Sequence, residues 1–372
     1  MYFDKIHVLN FKNISDIHID FSAKVNCFVG DNGVGKTNLL DALYYLSLTK
    51  SAFNPIDSQN IKEHTDSFII NAKIEKLNQF HSVACSVKRG EKKVVRVNKQ
   101  DIEKLSTHIG NYPIILIAPN DNTLINDSSD TRRKYFDSII CQIDQNYLQT
   151  LIKYNHALKQ RNSLLKQFSD NYHIDQDLLD PYDAILLECG QFIHKTRKQF
   201  VQDILPYIVT AYEEISDAKE SIFIKYESQL EKDTYTQEFK NAIKRDLILH
   251  RTTFGSHHDK YNFELSSKPI KKYGSQGQQK SFLIALKLGQ FFITQHKSGF
   301  TPVLLLDDIF DKLDENRMKK LLSIVNTDKF GQIFITDARP ERTRNILKEN
   351  NLAASIFTIS NGSIIDTEQF EI

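Results

Sequence analysis

Eight residues near the start of the chain, Gly30-Asp31-Asn32-Gly33-Val34-Gly35-Lys36-Thr37, fit the GxxxxGK[ST] phosphate-binding pattern. The glycines let the backbone curl so that successive N–H groups face phosphate oxygens. Lys36 brings a point charge for β- and γ-phosphates, and the Thr37 hydroxyl is a natural Mg²⁺ ligand. Asp31, Asn32 and Val34 complete the cradle, and Asn38 follows it into a helix. Much later, Val303-Leu304-Leu305-Leu306-Asp307-Asp308 is an apolar run ending in two carboxylates. Asp307 is placed to hold Mg²⁺ directly or through water, and Asp308 stands where a catalytic base or water-positioning carboxylate belongs. Between them, Gly274-Ser275-Gln276-Gly277-Gln278 opens a helix whose N-terminus can cap a γ-phosphate. A glycine-rich turn or an acidic strand end is commonplace alone. All three in this order describe one site for ATP and Mg²⁺.

The flanking pattern supplies the elements that such a site needs. Residues 25–29 are short, apolar and β-prone, which suits a buried strand before the loop. Leu39, Leu40, Leu43 and Leu46 give 37–48 a helical period. Residues 1–120 otherwise read as β: 2–11 and 14–21 alternate, 68–74, 82–87 and 94–98 form a meander, and 113–117 is apolar. From Thr131 the period turns helical, with a polar break at 169–175 and a fresh start at Asp180-Pro181. β-like patterns return at 221–226, 262–265 and 332–336. The expectation is a nucleotide domain of 1–125 and 216–372, interrupted by an all-helical arm over 126–215.

Composition sets limits. A net charge of +1 with 26% charged residues leaves no global basic field, so nucleic-acid contact must come from local patches. Cys27, Cys85, Cys141 and Cys189 show no metal spacing and read as reduced core thiols. The N-terminus lacks a signal-peptide layout, and no stretch approaches the ~18 apolar residues of a membrane span. A soluble, cytoplasmic protein without a membrane partner is expected.

The motif set resembles the RecF family of bacterial recombination mediators, within the ABC and SMC-like ATPases, over essentially the whole length. Gly274–Gln278 with Tyr273, Gln279 and Lys280 is the RecF form of the ABC signature. Ala118-Pro119-Asn120-Asp121, Arg132-Arg133-Lys134-Tyr135-Phe136-Asp137, Tyr154 with Arg161–Lys166, and Gly255-Ser256-His257-His258-Asp259-Lys260 resemble further family motifs. Leu313-Asp314 resembles the loop that crosses the dimer interface in ABC ATPases. His258 and Lys260 depart from the family's arginine and acid, and Asn120 from its glutamate. His257 and His258 invite a metal reading, but no third ligand in the sequence completes it.

The resemblance implies an α/β fold: an ABC-type P-loop ATPase head, a mixed β-sheet with helices, carrying a helical arm. It implies slow, DNA-stimulated hydrolysis and ATP-dependent head-to-head pairing of two copies on DNA at gaps. It further implies work with RecR and RecO to load RecA in recombinational repair and replication restart. Whether duplex or single strands are preferred stays open. One phosphate loop and one signature per chain agree with a twofold pair. Asp308, where most ABC ATPases carry glutamate, is shared with the family, and its shorter reach suits slow turnover.

For DNA, Lys88, Arg89, Lys92, Lys93, Arg96 and Lys99 crowd one hairpin with Glu91 as the sole acid among them. Such a ribbon can track phosphates, or merely keep an edge soluble. Arg132 and Arg133 divide between DNA contact and pairing within the chain. The competing readings are an SMC-type head acting as a DNA scaffold, against which the short arm argues, a P-loop kinase, which has no use for a signature loop, and a scaffold with a vestigial ATPase.

Overall fold

The computed structural model describes residues 1–170, 176–216, 220–311, 314–327 and 329–371. Its strands are β1 (Tyr2–Phe11), β2 (Ile14–Asp20), β3 (Val25–Val29), β4 (Ser67–Lys76), β5 (Gln79–Lys88), β6 (Val94–Val97), β7 (Gln100–Asp101) and β8 (Ile114–Ile117). There follow β9 (Ile222–Glu227), β10 (Lys260–Leu265), β11 (Lys268–Pro269), β12 (Val303–Leu306), β13 (Ile333–Asp337), β14 (Ala354–Ser360) and β15 (Ser363–Phe370). The chain divides into two compact units.

The first unit comprises Met1–Asp121, Thr210–Asp217 and Lys280–Ile372. It holds an antiparallel sheet in the order β2-β1-β4-β5-β6-β7 and a second sheet in the order β15-β14-β3-β13-β12-β8. Strict alternation builds the antiparallel sheet: Phe68, Ile70, Ala72 and Ile74 of β4 are buried, and the residues between them are not. In the second sheet β14, β3, β13, β12 and β8 run parallel, and β15 is an antiparallel edge. Every residue of β3, β8, β12 and β13 is buried, as continuous apolar runs demand of a sheet covered on both faces. The Lys36–Leu48 helix packs Leu39, Leu40, Leu43 and Leu46 into the same core as β1, β4 and β5. Register aligns Asp337 with Val29, and Leu306 with Ile335 and Ile117. The carboxyl ends of β3, β12 and β13 therefore lie side by side, where α/β sheets gather ligands.

The second unit, Asn122–Val209 with Ala218–Gln279, is larger than the expected arm and is not all-helical. The Ser129–Ile143, Gln145–Asp170 and Asp180–Ser216 helices bear out the helical period. The sheet β11-β10-β9 belongs here too. Phe136 stacks on Tyr261 of β10 at 4.2 Å, which ties helix to sheet. The strands expected at 221–226 and 262–265 thus form, but serve this unit and not the head. The polar break expected at 169–175 lies largely outside the described residues.

Candidate nucleotide-binding site

The fully buried β3 ends at Val29, and the chain turns at Gly30 with φ 142°. A Cβ there would lie 2.3 Å from the Ile359 carbonyl oxygen, and one on Gly35 (φ 116°) 2.8 Å from Asn13 Oδ1. Neither position tolerates a side chain. Gly35 caps the Lys36–Leu48 helix, whose first N–H groups suit an anion. Lys36 Nζ donates to the carbonyls of Gly30 and Asp31 at 2.6 and 2.7 Å. Burial lowers its pKa, opposed by the carboxylates of Asp308, Asp337, Asp307 and Asp31. Asp31, Asn32 and Gly33 are exposed, whereas the Val34 carbonyl accepts from the Gly362 N–H at 2.9 Å. Asn38 Nδ2 donates to Asn13 Oδ1 at 2.7 Å, so the β1–β2 turn braces the loop.

Asp307 leaves the end of β12, and its Oδ1 accepts from Thr37 Oγ1 and Thr336 Oγ1, each at 2.8 Å. Burial raises its pKa, the two hydroxyls and Lys36 pull it back, and Asp308 adds to the rise. Asp308 has φ 47°, a left-handed backbone, and its N–H donates to Thr336 Oγ1 at 2.8 Å. A hydroxyl and a carboxylate in contact form a hard-oxygen pair that fits Mg²⁺. Thr336, Asn13 and Gly362 were not anticipated. Thr336-Asp337 ends an apolar strand as Asp307-Asp308 does, a signal open to reading. Asn13 carries none, because only folding brings the turn to the loop.

The signature residues lie in the second unit. The Ser275 N–H donates to Gln278 Oε1 at 2.6 Å, and the Gln278 N–H donates to Ser275 Oγ at 3.2 Å. This is a reciprocal capping box at the start of the Gln276–Ser298 helix. Ser275 and Gln276 are exposed, Gly277 is half-buried, and Gln278 Nε2 also donates to Glu220 at 2.6 Å. Asp314 caps the Glu315–Val325 helix, accepting from the Arg317 N–H at 3.0 Å. Leu313, expected in an interface loop, lies outside the described residues.

Several cations of the basic hairpin are paired within the chain. Lys93 is bound within the unit: Nζ lies 2.7 Å from Asp57 Oδ2, with the side chain only 13% exposed. It also donates to the Thr49 carbonyl. Lys92 and Lys99 are exposed, Lys88 pairs with Glu91, Arg96 pairs with Asp101, and Arg89 reaches the Thr65 carbonyl at 3.4 Å. Arg132 donates to the carbonyls of Leu124 and Asp127 at 3.2 Å each. Arg133 donates to the Asp259 carbonyl at 2.7 Å and meets Asp130 at 3.3 Å. Both have partners within the chain.

In the Gly255–Lys260 loop, His257 Nδ1 meets Tyr154 OH at 2.6 Å, and Nε2 meets the Thr252 carbonyl at 3.2 Å. Burial, chiefly, pushes the His257 pKa down to about 3. The imidazole is a neutral strut.

Parallel strands ending in a phosphate loop, with an acid and a threonine beside it, define an ABC-type ATPase head. The Smc head domain solved with the C-terminal domain of ScpA, from Pyrococcus furiosus, shares the fold, with a TM-score of 0.55 at 17% identity over 100% of this chain and 96% of that one. The RecF/RecN/SMC N terminal domain family matches residues 2–362. The DNA replication and repair protein RecF of Flavobacterium johnsoniae is 47% identical over 360 residues, 96% of this chain and 100% of that protein. RecF of Bacteroides fragilis is 41% identical over 372 residues, covering both chains fully. A solved RecF–ATP structure of the RecFOR pathway superposes with a TM-score of 0.88 at 28% identity, covering 99% of this chain and 97% of that one. The chain belongs to the RecF family.

Proposed function

We propose that this chain is an ATP-dependent clamp on DNA, closed by pairing of two copies and reopened by slow hydrolysis. The contact between Thr37 Oγ1 and Asp307 Oδ1 carries the reading, because it joins a phosphate-loop hydroxyl to a strand-end carboxylate 270 residues away. Thr37 and Asp307 would hold Mg²⁺, which supplies charge neutralisation of the β- and γ-phosphates. Lys36 and the N–H groups of residues 30–38 bind and orient the triphosphate. Asp308 takes a proton from, or aligns, the attacking water. Ser275, Gln276, Gly277 and Gln278 present a capped helix N-terminus to the γ-phosphate held by the other copy. DNA contact falls to Lys88, Arg89, Lys92 and Arg96, with Lys93, Arg132 and Arg133 serving structure. Kinship with mediators of the RecFOR pathway supports RecR and RecO as partners, RecA loading at gaps as the outcome, and the cytoplasm as the place of action.

The test is sedimentation with and without a non-hydrolysable ATP analogue and gapped duplex DNA. Wild-type protein should dimerise with the analogue, and Ser275→Arg should bind nucleotide yet stay monomeric. Mixing Ser275→Arg with Lys36→Ala should restore partial hydrolysis, because one site of the mixed pair is intact. Ser275→Arg protein that dimerised normally would remove the signature loop from the interface and end the clamp reading.

A further inference from the structure

One polar group on the first unit serves neither the nucleotide site nor the basic turn. His7 of β1 and His18 of β2 stand directly opposite each other in register. Asp16 lies two residues before His18, on the same face. The intervening Ile6, Val8, Ile17 and Ile19 are buried, so alternation commits the three polar side chains to the solvated face. The imidazoles stack with centroids 3.8 Å apart and planes 12° from parallel. Both Nε2 atoms turn to one oxygen: His7 lies 2.9 Å and His18 3.5 Å from Asp16 Oδ1. All three donor atoms fall within 4.8 Å of one another.

We propose that His7, Asp16 and His18 bind a divalent transition-metal ion, zinc first, with water in the remaining position. Two imidazoles and one carboxylate are borderline-soft donors suited to zinc, whereas Mg²⁺ selects carboxylate, carbonyl and water. The ion therefore differs in kind from the one suited to Thr37 and Asp307. Directly opposed strand residues have Cβ atoms about 4.5–5.5 Å apart, which lets two imidazoles converge on one centre. β2 is the edge of its sheet, and its turn carries Asn13 against the phosphate loop. The ion would cross-link that exposed pair and fix its register.

The experiment uses tag-free, chelator-stripped full chain titrated calorimetrically with ZnCl₂. One zinc per chain is expected, with affinity falling roughly 10- to 100-fold on removal of a ligand in His18→Ala, and less in Asp16→Asn. Saturating zinc should raise the thermal midpoint of the wild type and leave a His7→Ala/His18→Ala double variant unmoved. All three side chains are solvated, so unchanged midpoints without zinc establish folding of the variants. His64→Ala, which removes an exposed histidine beside Glu63, should bind as the wild type does. The proposal is overturned if the double variant keeps wild-type zinc affinity. It is equally overturned if the wild type takes up no stoichiometric zinc, or if His64→Ala loses as much as His18→Ala.

Discussion

The arginine clusters of the second unit and the end of β12 in the first treat their carboxylates differently. In the second unit Arg197 lies between Asp137 at 2.8 Å and Asp259 at 2.7 Å, and Arg161 lies between Asp183 at 2.5 Å and Asp246 at 2.6 Å. Tyrosine hydroxyls complete the first cluster, Tyr147 on Asp137 and Tyr226 on Asp259. In the first unit Asp41 pairs with Lys12 and Asp337 with Arg342, but Asp307 meets two threonine hydroxyls and, among the described residues, no guanidinium, and burial raises its pKa. Charge that is paired internally serves the fold. Charge left under-compensated at the end of β12 awaits a cation from outside, at some cost in stability.

Function separates the two treatments most widely. Lys36→Ala should lose stable ATP binding, because it removes the ammonium held over the loop. Asp308→Asn should retain binding while hydrolysis falls about 10²- to 10⁴-fold, the contribution typical of a general base. Equilibrium nucleotide binding and single-turnover hydrolysis distinguish them. Equal loss of binding in both would erase the division of labour between Asp307 and Asp308.

Stability gives the converse. Arg197→Met leaves buried Asp259 and half-buried Asp137 without their cation and should cost about 3–5 kcal/mol in urea unfolding. Asp307→Asn removes an under-compensated buried charge and should stay within about 1 kcal/mol of wild type, or gain. Similar losses in the two variants would collapse the contrast.

A smaller effect comes from His257. Its folded pKa, about 3, lies below the ordinary value of 6.5, so the unfolded chain binds a proton that the folded chain refuses. The contribution is intact above pH ~6.5 and is lost as pH falls toward the folded value, about 2 kcal/mol by pH ~5. His257→Gln should flatten the stability curve over that window by roughly one proton. An unaltered slope would place the proton elsewhere.

The weakest expected effect concerns DNA. Lys92→Gln should lower the slope of log K against log salt by about 0.9, while Lys93→Gln should change stability and leave the slope alone. A matching drop for Lys93→Gln would return that lysine to the DNA-facing set.

The candidate nucleotide site was legible because its chemistry is local. A strand, a glycine-rich turn and a helix in succession fix Gly30, Gly35 and Lys36 wherever the rest of the chain goes. Asp307-Asp308 was readable for the same reason, as polarity ending an apolar run. The ion pair of Lys93 was not legible, because its partner Asp57 is 36 residues away in a short 3-10 helix and charge counting sees only neighbours. The boundary expected at 216 differs from the division into compact units for another reason. The strands at 222–227 and 260–265 alternate as any half-buried strand does, and alternation does not say which core a strand joins.

The four cysteines make the two units separately observable. Cys27 and Cys85 are buried in the first unit, Cys141 and Cys189 in the second. Burial pushes the first two thiols up to about 12, so little thiolate is available for alkylation while β3 and β5 stay closed. Alkylation of Cys27 then clocks transient opening of the strand leading into Gly30. Cys141 and Cys189 time the helices of the other unit in the same tube. Mass spectrometry of one labelled sample reads both clocks, and a nucleotide that slows only the first has tightened only the first.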